Sequence, residues 1–196
     1  MLKHILATVL LLVTYSTHAQ TFSQDSLTVY RTKYVADLYP IIGDDTTYLR
    51  FFDGDPAFYV KAAVQFLPNQ PIVKIPTTGT KIRSARKYAR LLFEIKGQRE
   101  VLYLYKFENI PGQEKMTEMF FLPFYDGSNG ATTYEGGRYL DFPLDAISDG
   151  LLYIDFNRAY TGYCAYTTGY NCPIPPKDNR IKAVITAGES KFAKKK

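Results

Sequence analysis

The 196-residue chain carries 24 Lys and Arg against 19 Asp and Glu, a formal charge of +5, with two histidines, two cysteines and no tryptophan. Its apolar share of 46% is ordinary for a globular protein, and seventeen tyrosines with thirteen phenylalanines lean it toward strands. Both histidines, His4 and His18, fall in a segment that reads as a cleaved leader. A Ser–His or Cys–His nucleophile pair and a His-ligated zinc or iron site are therefore excluded from the trimmed chain, and any proton transfer falls to carboxylates, tyrosines or lysines.

Residues 1–19 have the order of a secretory signal peptide: Lys3 and His4, the apolar run Ile5 to Val13, and small residues up to Ala19 before Gln20. The run is about half of the ~20 residues that span a bilayer. The expectation is an exported protein, periplasmic or secreted, with no transmembrane segment after cleavage. Residues 20–196 then form one domain with a short basic tail, frayed and solvated, at Lys191, Lys194, Lys195 and Lys196. A domain of that length buries about 70% of its unfolded surface without covalent help.

Leu27, Tyr30, Tyr34 and Leu38 recur at helical steps, which predicts a helix over Ser23 to Leu38, capped by Ser23 or Asp25 and ended by Pro40 and Gly43. Tyr48 to Phe52 and Ala57 to Leu67 read as strands separated by the turn Asp53-Gly54-Asp55-Pro56. Ile72 to Ile75, between prolines, reads as an edge strand. Tyr88 to Lys96 and Arg99 to Phe107 read as a hairpin around Gly97-Gln98 with a type II′ turn, setting Phe93 opposite Leu102 and Leu91 opposite Leu104. Met119 to Phe124, Leu151 to Phe156 and Ile181 to Thr186 are further strands. The fold class is mainly β: a single twisted antiparallel sheet system, sandwich or partly closed barrel, with one N-terminal helix.

Lys81, Arg83, Arg86, Lys87 and Arg90 make a basic stretch that reads as a solvated loop and strand edge, so no nucleic acid is expected. Cys164 and Cys172 are the only cysteines; in an oxidising compartment a disulfide is the default, and with no further thiolate or imidazole no metal site is expected. Asp126-Gly127-Ser128-Asn129-Gly130 superficially looks like a calcium loop but lacks the acid spacing, so a turn is expected.

Three stretches stand out: Phe121 to Asp141 (FLPFYDGSNGATTYEGGRYLD), Asp155 to Asn179 (DFNRAYTGYCAYTTGYNCPIPPKDN) and Ala187-Gly188-Glu189. On these residues the chain resembles the prokaryotic family of domain of unknown function 1684. It departs at Thr161-Gly162, where relatives read Asn-Pro, and at Asp178, where a longer acid is usual. The resemblance implies no reaction and no catalytic residue.

The stretches also supply the polar groups of any site. They are Asp126, Asp141, Asp155 and Glu189, with Arg138, Arg158, Asn157 and Asn179 and the phenols of Tyr134, Tyr139, Tyr160 and Tyr166, and all but Asp141 are candidates for binding a small polar ligand or glycan, without a cofactor. A glycosidase-like hydrolase using Asp155 and Glu189 or Asp126 is the alternative, and needs two carboxyls ~5–9 Å apart across a cleft. A buried polar network that only holds loops in place is the third reading.

Overall fold

The structure is a computed structural model that describes residues 21–108 and 117–194, so the leader at 1–19 lies outside the described residues. Helix α1, Gln24–Ile42, starts where the sequence places it: the Ser23 hydroxyl accepts from the Ser26 N–H at 3.2 Å. It outruns the expected stop, because Pro40 sits inside the last turn and Gly43, at φ +54°, closes it by donating to the Tyr39 carbonyl. A proline there forfeits one bond with only two helical residues beyond it.

Seven strands follow: β1 Tyr59–Phe66, β2 Ile72–Pro76, β3 Ile82–Ile95, β4 Gln98–Phe107, β5 Met119–Phe124, β6 Arg138–Pro143 and β7 Leu151–Asp155. They form one antiparallel sheet in the order β6-β5-β4-β3-β1-β7, curled into a half-barrel, with β2 also paired to β3. Long β3 is the spine: β2 lies along Ile82 to Arg86 and β1 along Ala89 to Leu92 on one side, while β4 pairs on the other. The mainly β architecture with one N-terminal helix is as the composition implies.

The hairpin turn differs from expectation. Lys96 and Gly97 both have positive φ (48° and 75°), and Ile95 pairs with Gln98. Two left-handed residues make a type I′ turn, which matches strand twist. Partners shift, so Leu91 faces Leu102 and Phe93 faces Glu100, but the faces are conserved and both leucines are buried. Tyr48 to Phe52 is not a strand: Gly43–Tyr48 is a 3-10 helix in which the Thr46 and Thr47 hydroxyls donate to the Gly43 and Asp44 carbonyls, and Phe51 makes a single bridge to Glu189.

Ile181 to Thr186 is not a strand either, although its alternate residues Ile181, Ala183 and Ile185 are buried in the main core. Side chains and loops replace the missing ladder. The Ile185 N–H donates to Asp126 Oδ1 at 3.1 Å, and the Lys182 and Ala183 N–H groups donate to Glu100 at 2.9 and 2.8 Å. Arg138, with no exposed surface, donates to the carbonyls of Ile185 (2.8 Å) and Ala187 (2.5 Å) and to Asp126 Oδ2 (2.8 Å). Gly188, at φ +75°, lets this chain press on the Phe156–Ala159 turn: a Cβ would come within 2.6 Å of the Ala159 carbonyl.

The basic tail is docked rather than frayed as far as it is described. Lys194 pairs with Asp45 at 2.5 Å, Lys191 Nζ donates to the Gly130 carbonyl at 3.1 Å, and the Ala193 N–H donates to Tyr48 O. Backbone bonds to the Tyr48–Arg50 segment hold it, which no charge count reveals. Among the described residues, no helix is long and apolar enough to cross a membrane.

Removing one partner of a buried ion pair leaves an uncompensated charge, at about 3–5 kcal/mol. Arg138→Met should therefore lower the unfolding free energy in urea by about that amount. Adding Asp126→Leu should restore part of it, since the stranded carboxylate is then gone; strictly additive losses would show the two are not coupled.

Candidate functional site

The face of the sheet away from the main core becomes the floor of a cavity. On β6, Leu140 and Phe142 point into the core while Tyr139 and, by strand alternation, Asp141 lie on the opposite face. Phe121 of β5 sits across from Asp141 in the register. Helix α1 forms the roof with Tyr30, Tyr34 and Leu38, one turn apart. Tyr160 is drawn beside β6 by a one-residue bridge, in which the Tyr139 N–H donates to Tyr160 O at 2.9 Å and the Tyr160 N–H to Tyr139 O at 3.1 Å.

The enclosed space is about 710 Å³, within the range of about 300–1,000 Å³ of small-molecule sites. Its wall is a chain of rings in contact. Centroids are 6.2 Å apart for Tyr30–Tyr34, 5.9 Å for Tyr34–Tyr160, 5.6 Å for Tyr160–Tyr139, 5.1 Å for Tyr139–Phe121 and 4.9 Å for Phe121–Phe107. Lys81 and Arg83, from the start of β3, and Asp37 of α1 add charge to the lining.

The phenol hydroxyls are turned to the protein. Tyr30 donates to the Arg158 carbonyl at 2.8 Å, Tyr34 to Glu189 at 3.0 Å, and Tyr139 to the Pro173 carbonyl at 2.5 Å. Burial pushes the Tyr139 and Tyr160 phenols well up, so they remain protonated donors. Tyr160 donates to Asp141 Oδ2 at 2.5 Å, while Oδ1 takes no hydrogen bond from the described residues. Asp141 is exposed to solvent on the wall of the concavity, with protein crowding its inner side. That crowding raises its pKa, and only the Tyr160 hydrogen bond opposes the rise.

The residues singled out from the sequence divide. Tyr139 and Tyr160 line the cavity. Asp126 and Arg138 form the fully buried pair that holds the 181–187 segment. Asp155 caps the Phe156–Arg158 turn, accepting from the Asn157 N–H at 3.1 Å, and pairs with Arg158 Nε at 3.1 Å. Asn157 clasps the Asp55 backbone through N–H and carbonyl, each at 2.9 Å. Asn179 spans the gap where β4 and β5 part, joining Tyr103 to the Pro123 carbonyl. Tyr134 packs under α1 with Tyr166. The Asp126–Asn129 segment is a turn, with the Asp126 N–H on Asn129 Oδ1 at 2.7 Å, and no group of three or more metal-ligating side chains forms among the described residues. Sequence reading passed over the α1 tyrosines and gave Asp141 no role; reading Arg138 to Pro143 as a strand would have put Tyr139 and Asp141 on one face.

Cys164 and Cys172 are free thiols beside the cavity. The Cys164 N–H donates to Cys172 Sγ at 3.2 Å, and the Thr78 hydroxyl touches Cys164 Sγ at 2.9 Å. Burial pushes the Cys172 thiol up to about 11.

Glu189, fully buried, joins the roof to the wall. Tyr166 donates to Oε1 at 2.5 Å, and Tyr34, the Thr161 N–H and the Thr161 hydroxyl donate to Oε2 at 3.0, 2.9 and 3.1 Å. Burial raises its pKa, and these bonds offset the rise only in part. A folded-state pKa above the unfolded value, ~4.3 for Glu, means the folded protein holds the proton more tightly. That contribution is complete below the unfolded value and is lost as pH rises through the folded one. The unfolding free energy of the wild type minus that of Glu189→Gln should therefore fall as pH increases from about 4 and then level off. Urea titrations across pH 3.5 to ~8 would read it, and a difference that rises with pH would contradict the assignment.

The solution NMR structure of an uncharacterized protein from gene locus rrnAC0354 of Haloarcula marismortui is similar, at 26% identity and a TM-score of 0.61, covering 86% of this chain and 97% of that one. No curated protein matches. The family model described as "Protein of unknown function (DUF1684)" matches residues 44–190, which include most of the sheet, Asp141, Tyr160 and Glu189, and the chain belongs to that family.

Proposed function

We propose that this protein binds a small ligand in the cavity between α1 and the β5–β6 face. One observation carries the reading: an aromatic-walled space of about 710 Å³ with the Asp141 carboxyl on its wall, whose Oδ1 takes no hydrogen bond from the described residues. Apolar walls with few convergent polar groups are the usual make-up of a ligand site. The ligand is polar at one point and apolar over much of its surface. A glycan fits less well, because the wall's phenols already donate to protein and few groups remain for a ring of hydroxyls. A hydrolase built on Asp126, Asp155 and Glu189 has little support, since none of the three lines this space and each is bound to protein partners.

The working form is exported, with residues 1–19 removed near Ala19. In an oxidising compartment, Cys164 and Cys172 close a bridge by exchange with an external disulfide, which takes up the two hydrogens. Their adjacency and shared contact with Thr78 support this.

Two measurements test these points. The neutral dye N-phenyl-1-naphthylamine should bind saturably with enhanced fluorescence, and Met119→Trp, at the half-open edge of the cavity, should weaken it about ten-fold, ~1.4 kcal/mol. Dye binding that ignores Met119→Trp would place the apolar site elsewhere. Mass spectrometry of exported protein, alkylated before and after reduction, should show a start at Gln20 and two thiols that appear only after reductant.

A further inference from the structure

We infer that the ligand of this cavity is a small organic ammonium ion, held by Asp141 Oδ1 and by the faces of the surrounding tyrosine and phenylalanine rings. The inference rests on the small-ligand reading above and names the chemical class.

The acids near the cavity have been provided for unequally. Asp126 has Arg138 at 2.8 Å as counter-ion. Glu189 has no cation but accepts from three side-chain hydroxyls and a backbone N–H. Asp141, exposed on the cavity wall, has among the described residues one donor, Tyr160, on one oxygen, and no ion-pair partner. A carboxylate on the wall of a concavity, with an oxygen that no described residue binds, suits a ligand that brings a positive charge. An ammonium N–H on Oδ1 would supply both the charge and the absent hydrogen bond.

The walls suit the same ion. Aromatic faces attract a cation through the ring quadrupole, and Tyr30, Tyr34, Tyr139, Tyr160 and Phe121 line the space around Asp141. Because their hydroxyls donate away to carbonyls or acids, these tyrosines offer rings rather than donors to an occupant. A ligand anion would find no donor from these rings and would face Asp141. Lys81 and Arg83 also line the space, near the start of β3.

The test uses three probes of one size on the full trimmed protein by calorimetry at neutral pH: phenethylammonium, neutral 2-phenylethanol and anionic phenylacetate. The ammonium should bind at least ten-fold more tightly than the alcohol, and the acetate least well. Asp141→Asn, shown folded by circular dichroism, should bring ammonium and alcohol to within about two-fold of each other. If the alcohol or the acetate equals or exceeds the ammonium in the wild type, the ammonium inference is overturned while the cavity reading survives. A preference that persists in Asp141→Asn overturns the role of Asp141. If no probe binds and none displaces the naphthylamine dye, both the ammonium inference and the cavity reading fall. The wild-type comparison decides the ligand class even if the variant does not fold.

Discussion

Buried backbone without a strand partner is the constraint on which this structure turns. The chain from Ile181 to Glu189 closes the open side of the curled sheet and packs its alternate side chains into the core, yet has no ladder of its own. Every N–H and carbonyl there would be costly if left unpaired. Asp126, Glu100 and Arg138 take the place of a neighbouring strand, and Arg138 does most of it with one planar fork that reaches two carbonyls and a carboxylate. Its Nε finds no partner, so the clamp is not perfectly satisfied.

From that clamp the rest follows in order. Holding Ala187 fixes Gly188 against the Phe156–Ala159 turn, which delivers the Glu189 carboxyl to Thr161, Tyr166 and Tyr34. Through Tyr34, α1 is tied down over the β5–β6 face, and Tyr30 adds a second tie to the Arg158 carbonyl. The cavity is thus what remains when a helix is pinned across a sheet by its tyrosine hydroxyls rather than by close packing alone. The three stretches that single out the family, residues 121–141, 155–179 and 187–189, are mostly parts of this device.

Much of the frame was legible in the sequence because it rests on local rules. A continuous apolar run marked β5 from its first to its last residue, and Ser23 marked the start of α1. The hairpin was legible in its faces but not in its register, because Lys96 takes a left-handed conformation that only the neighbouring strands justify. What escaped was everything carried by side-chain-to-backbone bonds across long separations. Ile181 to Thr186 alternates like a strand, but bends at Lys182–Ala183 and pairs with side chains. Asp126, Asn157 and Asn179 carry polar groups as a site would, yet spend them on loops and on the gap between β4 and β5. Sequence shows which residues are polar; it does not show whether their bonds are already made.

That distinction separates frame from site here. Asp126 and Glu189 are buried and Asp141 is exposed on the cavity wall, and composition alone gives no reason to rank them. Their partners do. Among the described residues, one has a guanidinium, one has four donors, and one has a single phenol. A fold that commits two carboxyls to its own donors and leaves the third, on the cavity wall, with one bond keeps that third carboxyl open to an occupant. Its place on the face that α1 roofs is why Asp141, rather than Asp126 or Glu189, belongs to the proposed site, although the sequence left it outside the candidate binding set.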